Sequence, residues 1–269
     1  MRFRNRTVFI TGASSGIGAA LARRLAAEGA NLILAARRID KLDEVAASLP
    51  RPHGSVRTIQ CDVARDGPLT AAVEQLTRDG AQIDIVIANA GFGVAGAVQK
   101  LTLEDYERQF EANVFGVLRT VYATLPVLPR PGGQIVIVGS VAGHVPQPGA
   151  SAYGMSKFAV RVLAECLRGE LASEGVAVTL ISPGFVDSDI RRTDNRGVLH
   201  QNARDSVPAW LRMPAERAAR KIVTAIHRRK RERIITAHGK LAVFLYRHAP
   251  WFIRFVQRMG VRARREPTR

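Results

Sequence analysis

Cysteine is nearly absent: 269 residues carry two, Cys61 and Cys166. Two thiols so far apart form neither a disulfide framework nor a metal-ligand spacing, and both read as reduced side chains of a cytosolic protein. Six histidines are scattered without an H-x-x-x-H pairing, so no metal is expected. No run of about 18 apolar residues occurs, which argues against a spanning helix. The opening "MRFRNRTVFITG" has charge but no apolar core of a signal peptide, so none is expected. Acidic residues run short in one place. Residues 1–190 hold 19 Lys/Arg and 18 Asp/Glu, net +1, whereas residues 191–269 hold 21 and 5, net +16. Nearly all of the formal +17 therefore lies in the last third, where an anionic partner is expected.

What is present is alternation. Short β-branched or apolar runs at 7–10, 31–35, 57–60, 83–88, 134–138, 177–182 and 233–236 are separated by amphipathic helical patterns such as 17–28 and 69–78. Runs such as "IDIVIA", "QIVIVG" and "VAVTLI" are apolar throughout, as strands covered on both faces are. Strand–helix–strand repetition predicts an α/β fold: a doubly wound (Rossmann) parallel sheet of about seven strands with helices on both faces. Ligands of such sheets bind beyond the carboxyl ends of the strands. Here those ends read "TGASSGIG", "AARR", "CDV", "NAG", "GSVAG" and "PGFVDS".

"TGASSGIG" has two incompatible readings. Gly12 to Gly16 match G-x-S-x-G, the nucleophile elbow of serine hydrolases. The same residues make a glycine turn at which a dinucleotide pyrophosphate meets a helix start. The hydrolase reading needs an acid and then a histidine after later strands, and no histidine stands in the expected place; His238, the nearest, reads as part of the basic tail. The other signal is "YGMSK": Tyr153 and Lys157 at i, i+4 share a helix face, where an ammonium would draw the phenol pKa down. Ser140, ending the fifth strand, could hydrogen-bond the same carbonyl oxygen. Alone, a Tyr and a Lys at that spacing also describe an ordinary helix.

Thr11-Gly12-x-x-x-Gly16-Ile17-Gly18, Asp62-Val63, Asn89-Ala90-Gly91, Asn113, Ser140, Tyr153-x-x-x-Lys157 and Pro183-Gly184 occur together and in this order. In this the chain resembles the short-chain dehydrogenase/reductase family, in its short single-domain form, from residue 1 to about 236. Ala88 departs from the family's usual first Asn of "NNAG", and Ser188 from its usual Thr. The resemblance turns the opening motif into a cofactor cradle: Gly12, Ser14, Ser15, Gly16, Ile17 and Gly18, with Gly16 and Gly18 allowing close approach. It implies that Tyr153 is the general acid and base, that Lys157 lowers its pKa and holds the nicotinamide ribose, and that Ser140 polarises the substrate carbonyl. Asn113 would order a water between Lys157 and solvent, or else satisfy a neighbouring backbone group. Asp62 and Val63 would hold the adenine, Asn89, Ala90 and Gly91 the centre of the cofactor, and Pro183, Gly184, Val186 and Ser188 its nicotinamide end.

An acidic residue ending the second strand would favour NAD. Ala36, Arg37 and Arg38 stand there instead, and guanidinium forks suit a 2′-phosphate, so NADP(H) is the expected cofactor, with Arg37 the better candidate contact. The expected domain is 1–239, with a substrate loop at about 185–213. Val145, Pro146, Val207, Trp210, Leu211 and Met213 form either an apolar wall for a carbonyl or alcohol substrate or the packing of a lid. Residues 240–269 form a basic, amphipathic helical extension, with Pro250 as a break. Its aromatic residues beside arginines suit an anionic membrane surface; packing on its own or a neighbouring subunit stays open. "RRKRER" (228–233) lacks a reading element, so nucleic acid is not the expected partner. A homodimer or homotetramer is expected, cytoplasmic or peripheral at the inner membrane face. The competing class is a non-catalytic NADPH-binding sensor or scaffold acting through the tail.

Overall fold

A computed structural model describes residues 1–50, 54–200, 202–203, 205 and 207–263, with side chains to residue 259. Seven strands form one wholly parallel sheet: β1 (Thr7–Thr11), β2 (Asn31–Ala36), β3 (Val56–Gln60), β4 (Ile85–Ala88), β5 (Gln134–Val138), β6 (Ala177–Ser182) and β7 (Glu232–Ile234). Their order across the sheet is β3-β2-β1-β4-β5-β6-β7. The sequence leaves β1 in one direction and returns to its other side at β4, so a crevice opens at the carboxyl ends of those two strands.

Two apolar layers sandwich the sheet, as the uninterrupted apolar strands require. One packs α1 (Gly16–Ala27), α2 (Ile39–Ala47) and α7 (Ala215–His227) around Leu21, Leu25, Ile222 and Ile226. The other packs α3 (Pro68–Arg78), α5 (Gly116–Thr124) and α6 (Ser151–Glu170) around Leu69, Val73, Val121 and Val160. Helix α4 (Leu103–Phe110) opens with a reciprocal Thr102–Asp105 capping box and runs through a π-helical turn, Glu111–Phe115, into α5. The chain closes with α8 (Ala237–His248) and α9 (Pro250–Ala263), parted at the expected proline. No helix among the described residues is long and apolar enough to cross a membrane.

The sequence-derived boundaries move by one residue at β1, β2 and β3 and by up to two at β4 and β7. β4 starts at Ile85, two residues late, because the Asp84 carboxylate turns back to accept from the Thr7 N–H (2.8 Å) and the Arg6 guanidinium (2.7 Å). β7 ends at Ile234, because the Thr236 hydroxyl caps α8, accepting from the Gly239 N–H at 3.2 Å.

Candidate active site

The cradle after β1 is held by side chains from two strands. Gly12 and Gly16 lie at φ +65° and +53°, where L side chains are strained. A Cβ on Gly12 would stand 2.7 Å from Ala90 Cα. Gly18 serves differently, since a Cβ there would stand 2.2 Å from the Gly12 carbonyl oxygen and 2.8 Å from Asn89 Nδ2. Its bareness lets α1 seat on the turn that precedes it, a packing role the sequence reading did not include. Asn89 donates to the Thr11 and Gly12 carbonyls at 3.0 and 3.1 Å, and the Thr11 hydroxyl accepts from the Asn89 and Ala90 N–H groups. Ile17 packs against the core, Ser15 stands before α1 without a side-chain cap, and Arg38 Nη2 reaches the Ser14 hydroxyl at 3.4 Å. Arg38, not Arg37, is therefore the arginine in contact with the cradle; both are exposed. Asp62 holds its own turn by accepting from the Ala64 N–H (3.0 Å), and Val63 is buried against Gly116.

Asn113, fully buried in the π-helical turn, accepts from the Phe92 N–H and donates to the Phe92 carbonyl, both at 3.0 Å, and donates to the Ser156 hydroxyl at 3.2 Å. Both amide hydrogens are thus used on protein, and the side chain braces the turn that follows Gly91. A Cβ on Gly91 would meet Asn113 Oδ1 at 2.7 Å.

Ser140, Tyr153 and Lys157 converge. Tyr153 and Lys157 lie one turn apart on α6, and Ser140 ends the β5 edge beside them. The Ser140 hydroxyl accepts from the Ala142 N–H at 3.1 Å. Lys157 is 5 % exposed; its Nζ donates to the Val138 carbonyl at 3.0 Å and lies 5.8 Å from the Tyr153 ring centroid. Burial lowers the lysine pKa to about 8. Crowding by protein raises the Tyr153 pKa above its ordinary 10, opposed by Ser140 and by the charge of Arg191. Lys157 has two further ammonium hydrogens besides the one on Val138, and it stands as a cation beside the Tyr153 ring.

The segment after β6 folds across the cradle. The Pro183 carbonyl accepts from the Val141 N–H (2.8 Å), Val186 is buried and bridges to Met213, and Ser188 Cβ would stand 3.1 Å from a Cβ on Gly16. A Cβ on Gly184 would meet Thr236 Oγ1 at 2.3 Å and His238 Nε2 at 2.5 Å. His238 accepts from the Phe185 N–H at 3.0 Å and stacks on the Phe185 ring. It belongs to the frame of this loop and not to a free basic tail. The expected apolar wall divides: Val145 is buried, Met213 packs into the core, and Trp210 is 83 % exposed. Gly93 lies between Ile190 and the Tyr153 ring instead, where a Cβ would stand 3.6 Å from the one and 3.7 Å from the other. Arg191 is fixed by a bidentate pair with Asp205 (2.7 Å to each oxygen) and by the Val186 carbonyl. The sequence reading missed Thr11, His238 and Arg191. Only Thr11 carried a local signal, as the first residue of the glycine motif.

Among the described residues no cluster of His, Cys, Asp and Glu could hold a metal ion, and both cysteines are free.

Comparison with known proteins agrees with this arrangement. The family described as short chain dehydrogenase matches residues 6–198. A dehydrogenase/reductase SDR family member 7B of Bos taurus is 31% identical over 98% of this chain and 83% of its own. An uncharacterized oxidoreductase of Staphylococcus saprophyticus is 36% identical over 70% of this chain and 76% of its own. A solved short-chain dehydrogenase from Sphingobium yanoikuyae in complex with NADPH superposes with a TM-score of 0.74 at 31% identity, covering 98% of each chain.

Proposed function

The chain belongs to the short-chain dehydrogenase/reductase family and is an oxidoreductase; from that premise we propose that it interconverts an apolar ketone or aldehyde with its alcohol, using NADP(H). The carrying observation is the convergence of Ser140, Tyr153 and Lys157 beside the crevice at the β1/β4 switch point. The cofactor fits residues of this chain. A glycine turn without room for side chains leads into a helix start without a side-chain cap, which suits a pyrophosphate. Exposed Arg37 and Arg38, the latter already at Ser14, suit a 2′-phosphate, and NADPH in the Sphingobium relative supports the same choice.

Bound NADP(H) supplies or accepts the hydride. In reduction, Ser140 donates a hydrogen bond to the substrate carbonyl oxygen, and Tyr153 transfers its phenolic proton to that oxygen. A phenol of ordinary pKa, about 10, carries its proton at neutral pH and has it available for this step. Lys157 holds the nicotinamide ribose and stabilises the phenolate left behind. Asn113 keeps the Phe92 turn in place, and the second lone pair of its Oδ1 is the group through which it would hold a water. Asp62 and Val63 hold the adenine end, and Asn89, Ala90, Gly91, Pro183, Gly184, Val186 and Ser188 the remainder.

Tyr153→Phe keeps the ring and removes the proton. Turnover of a ketone panel, followed through NADPH absorbance, should fall by about 10²–10⁴ while NADPH affinity holds. Near-wild-type turnover in this variant would refute the assignment, and NADPH binding without turnover of any carbonyl by the wild type would favour the sensor reading.

Two partner readings accompany the activity. Exposed Phe115, Tyr122, Met155 and Val162 on the α5 and α6 side suit a second copy of the chain. Exposed Leu241, Phe244, Trp251, Phe255 and Met259 on α8 and α9, with Arg247, Arg254 and Arg258 among them, suit an anionic lipid surface.

A further inference from the structure

Helix α7 carries two opposite stripes. Ala218, Ala219, Ile222, Val223 and Ile226 are buried against the sheet and α1. Arg217, Lys221, Thr224 and Arg228 follow at spacings of four, three and four residues, with Arg220 beside them, so they share a second face. That face meets the sheet edge at Arg233 of β7, with Lys230 from the turn between them, and encloses a groove of about 440 Å³. No carboxylate lines it.

The convergence of six cations on one groove without a carboxylate sets it apart. Some arginines elsewhere are paired, Arg2 and Arg24 with Glu28, Arg23 with Glu216 and Arg191 with Asp205, while others, such as Arg37, Arg38, Arg65 and Arg78, are exposed and not in an ion pair among the described residues. Of the six groove cations, none has a carboxylate partner among the described residues. Lys221 donates to the Ile235 carbonyl at 3.0 Å, and the Thr224 hydroxyl is met by Arg2 Nη1 at 3.4 Å. Lys221 also has its pKa lowered by burial and then by the charges of Arg217, Lys240 and Arg233. Protection of an exposed sheet edge by charge accounts for Arg233 but not for the cations of α7.

We propose that this groove binds a multiply phosphorylated anion, seated on the guanidinium forks of Arg217, Arg220, Arg228 and Arg233 with the Lys221 and Lys230 ammonium groups beside them. Arginine forks match phosphate oxygens in pairs, and several phosphates are needed to neutralise six charges. The volume is that of a small-molecule site. No aromatic side chain lines it, so nothing there would stack a nucleic-acid base. The same charge repels a second copy from this face. The site lies apart from the Tyr153 centre and does not depend on the proposed reaction.

The test uses the full chain at physiological salt, with tripolyphosphate titrated by calorimetry and phosphatidylcholine vesicles, with and without a phosphatidylinositol phosphate, for co-sedimentation. Arg220→Glu/Arg228→Glu alters exposed side chains and leaves the buried stripe intact. Arg65→Glu/Arg78→Glu makes an equal charge change on distant exposed arginines. Tripolyphosphate should bind, and the groove variant should weaken it by more than about a hundredfold, about tenfold for each lost charge-assisted contact, while the distant variant binds as the wild type does. Groove-dependent binding of tripolyphosphate alone identifies a free phosphorylated ligand; groove-dependent binding of the lipid vesicles as well identifies a headgroup. Absence of tripolyphosphate binding, or equal weakening by the two variants, overturns the proposal.

Discussion

Gly18→Ala sets two effects of opposite sign against each other. Within a helix, alanine is better than glycine by about 1 kcal/mol. At Gly18 the new methyl would stand 2.2 Å from the Gly12 carbonyl oxygen, a backbone atom held by Asn89. Neither can yield without moving α1 away from the cradle, and overpacking of this kind costs about 1–3 kcal/mol. The clash outweighs the propensity gain, so the variant should be less stable by up to about 2 kcal/mol. Gly169 is the internal control: it also lies in a helix, α6, and a Cβ there meets nothing within 4 Å. Gly169→Ala should gain up to about 1 kcal/mol, because propensity is the main effect left. Urea unfolding with an unchanged m-value measures both. The two variants also separate in function: Gly18→Ala should raise KM for the cofactor, and Gly169→Ala should not. A Gly18→Ala protein as stable as Gly169→Ala, with unaltered cofactor affinity, would refute the packing argument.

Arg38→Asp should turn cofactor preference from NADPH towards NADH more strongly than Arg37→Asp, since Arg38 already stands at Ser14; the ratio of kcat/KM for the two cofactors decides it, and no change in either variant would put the 2′-phosphate elsewhere. The Glu28 carboxyl is held down to about 2, chiefly by its hydrogen bond with Arg2. A depressed carboxylate stabilises above its unfolded pKa, and that contribution, about 3 kcal/mol at most, is lost as pH falls from the ordinary carboxylate range through about 2. Denaturation midpoints should fall over that window and fall less in Glu28→Gln; parallel pH slopes would disprove the linkage. Deleting residues 241–269 should abolish co-sedimentation with anionic vesicles at low salt and leave a folded core. Full-length protein that stays in the supernatant would defeat the membrane reading.

Legibility in the sequence followed the range of the forces involved. The strands were readable because burial on both faces demands apolar runs, and β5 and β6 end at the expected residues. The glycine turn was readable because only glycine tolerates φ near +60° beside Ala90. Gly18 was readable as a glycine but not by its packing role, since its neighbour is a carbonyl six residues back in a turn whose path the sequence does not specify. A backbone partner for Asn113 was one of its two expected roles, but the π-helical turn that aims it at Phe92 has no composition of its own. The longer contacts were not readable. His238 reaches Phe185 across 53 positions, and Arg191 meets Asp205 across a loop with no periodicity. Thr236 was the exception: a threonine ahead of a helix is a cap signal, and it was read as the end of the last strand.

These long contacts change the meaning of the carboxyl-terminal segment. Charge and aromatic spacing describe an appendage, yet its first turn is built into the candidate active site. Gly239 sits where a Cβ would come within 2.6 Å of Val141, one residue past Ser140, and His238 holds the turn after Gly184 through Phe185. Further out, Gln257 of α9 donates to the Pro146 carbonyl, in the loop between Ser140 and Tyr153. The segment that carries α8 and α9 is therefore joined at three points to the two loops that border the crevice. A boundary drawn by composition at residue 240 separates charge classes but not mechanical units. Residues 236–239 belong with the site, which is why a truncation that starts at 241 removes the amphipathic surface and keeps the cap, the histidine and the glycine that frame the loops.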